Sequence, residues 1–368
     1  MLQLDERRLY ALPVAPPGLT VAVTGASGYV GTRLLERLYE DASVARVLGF
    51  DLRPPEVSHP KLVFDAVDVR SPGLEARLAG VDCLVHLAFI MDPISDETLM
   101  RDVNVNGTQA AFKAAGKAGV RRIVYTSSAT VYGAHPDNDV PLTEESPLRA
   151  NLDFSYPAHK LEVEYVAREI REEFPDLSMT MFRPAIVFGP RADNAWSHIL
   201  EMPFLLGVAG YSPPLQLVHE EDIARALQWA ATGDVTGTFN LAASGWLDAE
   251  EALAIVGRRP RYLPEPLAFA LAERMWKLGL AEAPSGFLHY AMHPWVVSTD
   301  KLAAAGFVPE HTNEETLRQT VAAAEGHIRI GRSRVARGSL VKGAAAGAGL
   351  AGAAGLAAVF RSRRRKAA

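Results

Sequence analysis

From residue 19 onward the chain alternates short apolar runs with longer amphipathic stretches. LTVAVTG (starting at Leu19), ARVLGFD, KLVFDAVD, VDCLVHLAF, RRIVYTSS and LSMTMFRP are brief, nearly continuous apolar runs, each predicting a buried strand. Between them, residues 29–39, 95–118 and 154–173 carry apolar positions at helical spacing and predict helices. Strands separated by helices pair in parallel, and runs apolar on both faces need helices on both sides. The expected fold is therefore α/β, a doubly wound parallel sheet. After Pro184 the rhythm loosens, prolines and aromatics become frequent, and helical segments dominate, which predicts a smaller, mainly helical C-terminal lobe. GTFNLA, starting at Gly237, reads as one further strand returning to the sheet. The expected organisation is an irregular arm over 1–18, a sheet domain over 19–183, a substrate lobe over 184–330 and a tail over 331–368. The lobe would close over the carboxyl edge of the sheet, where such folds bind ligands.

The most specific signal is TGASGYVG, residues 24–31, which follows a predicted strand and opens a predicted helix. Gly25 permits a tight turn, Gly28 lets the backbone approach a pyrophosphate, and Gly31 lets the helix pack on the sheet. The helix N-terminus then offers free N–H groups and the positive end of its dipole to phosphates. Ser27 and Tyr29 lie within the same cradle and are expected cofactor contacts. Asp51 ends the second strand twenty residues after Gly31, where a carboxylate binds the adenosine ribose and repels a 2′-phosphate. This favours NAD over NADP, although Arg53 could pair with such a phosphate.

Tyr156 and Lys160 in YPAHK stand four apart on one helix face, and Ser127 and Ser128 end the fifth strand. A phenol of ordinary pKa, about 10, is a poor base at neutral pH. The Lys160 ammonium and an oxidised nicotinamide would favour the phenolate. Tyr156 could then take a proton from a substrate alcohol as hydride leaves, and Ser128 would orient the same oxygen.

In this order the motifs resemble the short-chain dehydrogenase/reductase superfamily, specifically its extended, NAD-dependent epimerase/dehydratase branch, over residues 19–321. Thr24, Gly25, Gly28 and Gly31 match its TGxxGxxG, SSATVYG its serine segment with the active hydroxyl at Ser128, and YPAHK its YxxxK. The resemblance implies a Rossmann-like cofactor domain. It also implies that Asp68 and Val69 touch adenine, that Leu87 and Ala88 in HLAF lie beside the adenosine, that Asn104 in NVNGT is structural, and that Pro184 in FRPAIVFGP stands beside the nicotinamide ring. LVHEEDIA, containing His219, is similar to its VHxxDxA segment. Members that use nucleotide sugars carry an asparagine after the RP-type strand and an arginine four positions before that histidine. This chain has Ala185 and Ile186 at the first place and Leu215 at the second. With Trp196, Phe204, Leu205, Tyr211, Phe269, Met275, Trp276, Phe287, Tyr290 and Trp295 in the lobe, a small substrate of low polarity is expected.

Three functional readings follow. The leading one is an oxidoreductase moving hydride between an alcohol or ketone and NAD. The second is an NAD-dependent sugar epimerase with a closed redox cycle. The third, from another class, is a non-catalytic cofactor-binding sensor, which the presence of both Tyr156 and Lys160 disfavours. A dehydratase ranks low because Ala129 and Thr130 stand where that branch carries Asp-Glu.

Composition narrows the remainder. A net charge of -5 argues against nucleic-acid binding. The single cysteine, Cys83, excludes an internal disulfide and reads as a buried thiol, and no His/carboxylate spacing suggests a metal site. MLQLDERRLY lacks the apolar core of a secretory signal, so a cytoplasmic location is expected. Residues 343–360 are uncharged and Ala/Gly-rich, and RSRRRK follows them. They leave open a membrane span, a tether to an anionic surface, or a low-complexity tail, the last being the leading expectation. By resemblance, a homodimer would form through the helices at 95–118 and 154–173.

Overall fold

The apolar runs become strands of one sheet: β1 (Leu19–Thr24), β2 (Val44–Asp51), β3 (Leu62–Ala66), β4 (Cys83–His86), β5 (Arg122–Thr126) and β6 (Ser178–Pro184). The computed structural model describes residues 18–94, 96–330 and 333–336. The arm before Gly18 and the Ala/Gly-rich tail lie outside the described residues. Short strands β7 (Ile186–Phe188), β8 (Leu206–Val208) and β9 (Leu217–His219) stand outside the main sheet, and β10 (Gly237–Leu241) completes it beside β6. The order is β3-β2-β1-β4-β5-β6-β10, and every pairing within it is parallel. The chain builds outward from β1 in one direction and from β4 in the other, so a crevice opens between their carboxyl ends.

Alternating residues send the sheet's two faces into separate cores. Val21, Val23, Val47 and Val85 pack with Leu34 and Leu38 of helix α1 (Tyr29–Glu40) on one side. Ala22, Leu48, Leu84 and Ile123 pack with Phe112, Val163 and Ile170 on the other. After α1 come the helices α2 (Leu74–Arg77), α3 (Glu97–Arg101), α4 (Thr108–Lys117), α5 (Ser155–Glu173), α6 (Ala195–Glu201) and α7 (Glu220–Thr232). Phe112 belongs to α4, Val163 and Ile170 to α5. Ile223 and Leu227 of α7 join the first core, where Arg37 of α1 donates to Gln228 at 2.8 Å. Beyond α7 the chain is mainly helical, with segments at Ala249–Val256, Glu265–Lys277 and Asn313–Ala324.

One element departs from the sequence expectation. The stretch 95–118, read as one regular helix, runs as α3, a π-helical turn over Asp102–Gly107, and α4. Asn104 in that turn accepts from the Ile90 N–H at 2.7 Å and donates to the Ile90 carbonyl at 3.0 Å. This clasp on the loop after β4 is a tertiary contact, which local periodicity does not carry. The turn also brings Gly107 against Val69, whose Cγ2 would lie 2.9 Å from an added Cβ.

Candidate active site

The glycine loop leaves β1 at Thr24 and enters α1. Gly25 has φ +68°, and a Cβ there would lie 2.7 Å from the Ala88 nitrogen and the Leu87 carbonyl carbon. Only glycine lets these two backbones pass. A Cβ on Gly31 would lie 2.2 Å from the Gly25 carbonyl oxygen, so the first turn of α1 can fold onto the loop only with glycine there. Gly28 is the N-cap of α1 and has no side chain to cap it, leaving first-turn N–H groups to face the crevice. These are the features a pyrophosphate cradle requires, and the residues present fit a dinucleotide.

Asp51 stands at the end of β2, beside the loop. Its carboxylate accepts from the Ser27 N–H at 3.0 Å and the Leu52 N–H at 2.6 Å. The Ser27 hydroxyl donates to the Arg53 carbonyl, and the Arg53 residue is exposed. Asp68 is bound by Arg70 (2.6 Å), whose hydrogen bonds hold its carboxyl below the ordinary range, and Val69 is buried behind it. Leu87 and Ala88 direct their N–H groups at the Thr24 hydroxyl, at 3.3 and 3.4 Å. Thr24 is in turn bonded to His86, which reaches Thr108 on its far side. Burial pushes the His86 imidazole down to about 3, so it is neutral.

Tyr29 differs from a simple cradle residue. Its hydroxyl donates to the Glu220 carboxylate at the start of α7, and Glu220 also accepts from the Arg191 N–H at 3.1 Å. Burial, then the Glu220 charge, hold the Tyr29 phenol protonated far above its ordinary range. A side-chain bridge thus crosses from α1 to α7, joining segments far apart in sequence.

At the carboxyl end of β5, Ser128, Tyr156 and Lys160 come together, and Pro184 ends β6, the neighbouring strand. Ser128 is buried and caps a short 3-10 turn, Ala129–Tyr132. Its oxygen accepts from the Thr130 N–H at 3.2 Å and the Thr130 hydroxyl at 2.9 Å. With its acceptor positions taken, its own O–H is left to donate. Tyr156, half-buried on the first turn of α5, is held above its ordinary pKa by burial, while a hydrogen bond with Ser128 acts the other way. Lys160 lies one turn further along α5. Its Nζ donates to the Thr126 carbonyl at 2.7 Å and the Tyr125 hydroxyl at 3.3 Å, sits 3.6 Å from the Phe89 ring centroid, and is 5.9 Å from the Tyr156 ring centroid. Burial pushes its ammonium down to about 7, partly offset by Glu164. The sequence expectation joins the Lys160 ammonium to an oxidised nicotinamide; with the chain's own groups alone, burial keeps the phenol above its ordinary value. Lys160 is engaged elsewhere and is itself disfavoured as a cation. Pro184 ends β6 beside Leu241, buried against the sheet.

Two further features are not readable from the sequence. Thr130 was read only as the absence of an acid, yet it fixes the Ser128 hydroxyl. Beneath the site, Arg183 and Glu164 form a buried bidentate pair (2.6 and 2.9 Å). Ser127 donates to the same carboxylate at 2.6 Å, and Arg183 donates to the Tyr132 hydroxyl at 2.8 Å. The available signals were an arginine inside an apolar strand and a glutamate one turn after Lys160 on the same helix face. His159 is buried beside Asn104, and His219 caps α7 and stacks on His311. Cys83 is fully buried, its thiol pushed up to about 12. Among the described residues there is no cluster of three or more His, Cys, Asp or Glu arranged for a metal ion, and no helix is long and apolar enough to cross a membrane.

Residues 21–242 match the profile of the NAD dependent epimerase/dehydratase family. The chain belongs to that family. An uncharacterized protein of Mycobacterium tuberculosis is 33% identical over 253 residues, covering 66% of this family member and 67% of that protein. The N-acetyl-alpha-D-glucosaminyl-diphospho-ditrans,octacis-undecaprenol 4-epimerase of Escherichia coli O157:H7 is 36% identical over 176 residues, 46% of this chain and 50% of that one. The structure of the UDP-glucose 4-epimerase of Thermus thermophilus in complex with NAD matches with a TM-score of 0.64 at 22% identity, over 84% of this chain and 99% of that one. That likeness concerns the fold: a Rossmann-like parallel sheet with a helical C-terminal region.

Proposed function

We propose that this epimerase/dehydratase family member binds NAD in the crevice between β1 and β4 and transfers hydride at the carbinol carbon of a small alcohol or ketone of low polarity. In this reading Gly25, Ser27, Gly28, Tyr29 and Gly31 form the pyrophosphate side, and Asp51 binds the adenosine ribose, with Arg53 exposed beside it. Asp68, Val69, Leu87 and Ala88 flank the adenosine, and Pro184 backs the nicotinamide. The bound cofactor would supply the hydride acceptor and, when oxidised, a positive charge near Tyr156. Tyr156 takes the alcohol proton or returns it, Ser128 donates to the same oxygen, and Lys160 holds the ribose side of the site while favouring the phenolate when charged. The observation that carries the reading is the Ser128 oxygen, which accepts twice from Thr130 and so keeps its own O–H free to donate to a substrate oxygen held beside Tyr156.

A second reading, an epimerase that oxidises and re-reduces one bound substrate, is favoured by the family and by the 4-epimerases among its relatives. Denaturing the purified protein and identifying released small molecules by mass spectrometry separates the two. Near-stoichiometric, non-exchanging NAD supports the closed cycle, and reversible binding of added NAD supports a dehydrogenase. Tyr156→Phe should lower turnover about a thousandfold, within the range for a general acid/base, with NAD affinity retained. Unchanged turnover would sink the assignment. Exposed Leu99 and Tyr165 on α3 and α5 support a homodimer through those helices, to be checked by analytical ultracentrifugation.

A further inference from the structure

Just past Pro184 the chain borders a cavity of about 110 Å³ whose walls include Ile186, Trp196, Leu215, Gln216, Tyr290 and Trp295. It is linked to the reacting groups through Tyr290 and Thr130. The Tyr290 hydroxyl donates at 2.8 Å to the carbonyl of Thr130, which holds Ser128. The Tyr290 ring also packs 6.2 Å from Phe154, itself 6.0 Å from the Tyr156 ring.

The Gln216, Tyr290 and Trp295 polar groups of this wall are already used. Gln216 donates to the Gly245 and Val297 carbonyls (both 2.9 Å) and accepts from the Val297 N–H at 2.7 Å. The Trp295 indole N–H donates to the Tyr290 carbonyl at 3.0 Å. Among the described residues no lysine or arginine lines the cavity, and the Trp196 indole is the remaining side-chain N–H donor. A phosphate or a cluster of sugar hydroxyls entering here would lose water and find one neutral side-chain N–H donor, that of Trp196, in exchange. An apolar group would lose nothing. The volume is somewhat below that of apolar cavities of about 150 Å³ known to take benzene.

We propose that this cavity is a specificity subsite for a compact apolar group, a small carbocycle or branched alkyl, carried next to the carbinol carbon, and that no nucleoside diphosphate is held there. The inference rests on the hydride-transfer reading for its placement of the reacting carbon, and it names the substrate class of that site.

The test uses the full chain loaded with NAD. Cyclohexanone, acetone and UDP are each titrated against tryptophan fluorescence, which Trp196 and Trp295 report from the wall, with calorimetry as a second readout. Cyclohexanone should bind saturably and at least about tenfold tighter than acetone, in keeping with the discrimination apolar pockets give per added carbon. UDP should not compete. Leu215→Phe, which fills the cavity, should weaken cyclohexanone about tenfold or more and leave acetone unaffected. Ile186→Asn should weaken cyclohexanone likewise, and retained NAD binding shows that each variant is folded. UDP binding that displaces cyclohexanone, or equal affinity for cyclohexanone in the wild type and Leu215→Phe, overturns the proposal. Cyclohexanone binding with no NADH oxidation by any ketone overturns the hydride-transfer reading alone. NADH oxidation without preference for the larger ketone overturns the subsite alone.

Discussion

Replacing Lys160 by methionine should stabilise the protein while abolishing its proposed activity, and the stabilisation should depend on pH in a defined direction. Lys160 is 4% exposed, and burial brings its ammonium from 10.5 down to about 7. That drop corresponds to roughly 5 kcal/mol at about 1.36 kcal/mol per pH unit. Because the folded value is depressed, the unfolded chain binds more protons between about pH 7 and 10.5. This lysine's contribution to stability is therefore complete above the unfolded pKa and is lost as pH falls through about 7. Methionine cannot charge and removes the penalty, but it leaves the Thr126 carbonyl without the donor now at 2.7 Å. A buried acceptor left unpaired costs about 1–2 kcal/mol. The net expectation at pH 6 is a gain of about 3 kcal/mol for Lys160→Met, shrinking through zero as pH approaches 10. Urea unfolding at pH 6 and pH 9.5, followed by circular dichroism, measures both ends. A variant less stable than wild type at pH 6, or a difference identical at the two pH values, would refute the reasoning.

Other outcomes follow from single contacts. Glu164→Gln leaves the buried Arg183 guanidinium without its carboxylate and should cost about 3 kcal/mol in urea unfolding. Gly31→Ala puts a methyl 2.2 Å from the Gly25 carbonyl. Forced shifts of this kind cost about 1–3 kcal/mol, so calorimetry should show NAD affinity reduced about ten- to a hundredfold. Asp51→Asn keeps an acceptor for the Ser27 N–H but drops the charge, and should narrow the preference for NAD over NADP about tenfold in paired titrations.

The sheet was legible because each strand announces itself: VAV in β1 or LVH in β4 has no polar face to suggest anything but burial on both sides. The glycine loop was legible for a steric reason, since Gly25 and Gly31 stand where backbone meets backbone. Less could be read where a side chain's role depends on a distant partner. Tyr29 reads as one more cradle residue in the sequence, whereas its hydroxyl is bound by Glu220 at the start of α7, 191 residues away. The π-helical turn depends on Asn104 finding Ile90, not on anything within the helix. Of the lobe aromatics, Trp196, Tyr290 and Trp295 line the cavity, whereas Phe204 is 45% exposed and the Tyr211 hydroxyl donates to Glu265. Composition could supply the apolar character but not the choice among them. Four-residue spacing on a helix brings Lys160 near Tyr156 without obliging it to point at the phenol, so the spacing alone does not favour the phenolate.

The two hydrogen bonds that Asp51 accepts from Ser27 and Leu52 have a bearing on how such a protein can change over generations. A carboxylate offers about four lone-pair sites. Two of them here are spent on the chain itself, which leaves about two for a ribose. If Asp51 also binds the ribose as proposed, cofactor preference and loop geometry are inherited as one trait. A lineage drifting toward NADP could not begin by exchanging Asp51 for alanine or glycine, because the same step would untether the loop that any dinucleotide needs. Its accessible route runs first through asparagine, which keeps the tether and surrenders only the charge.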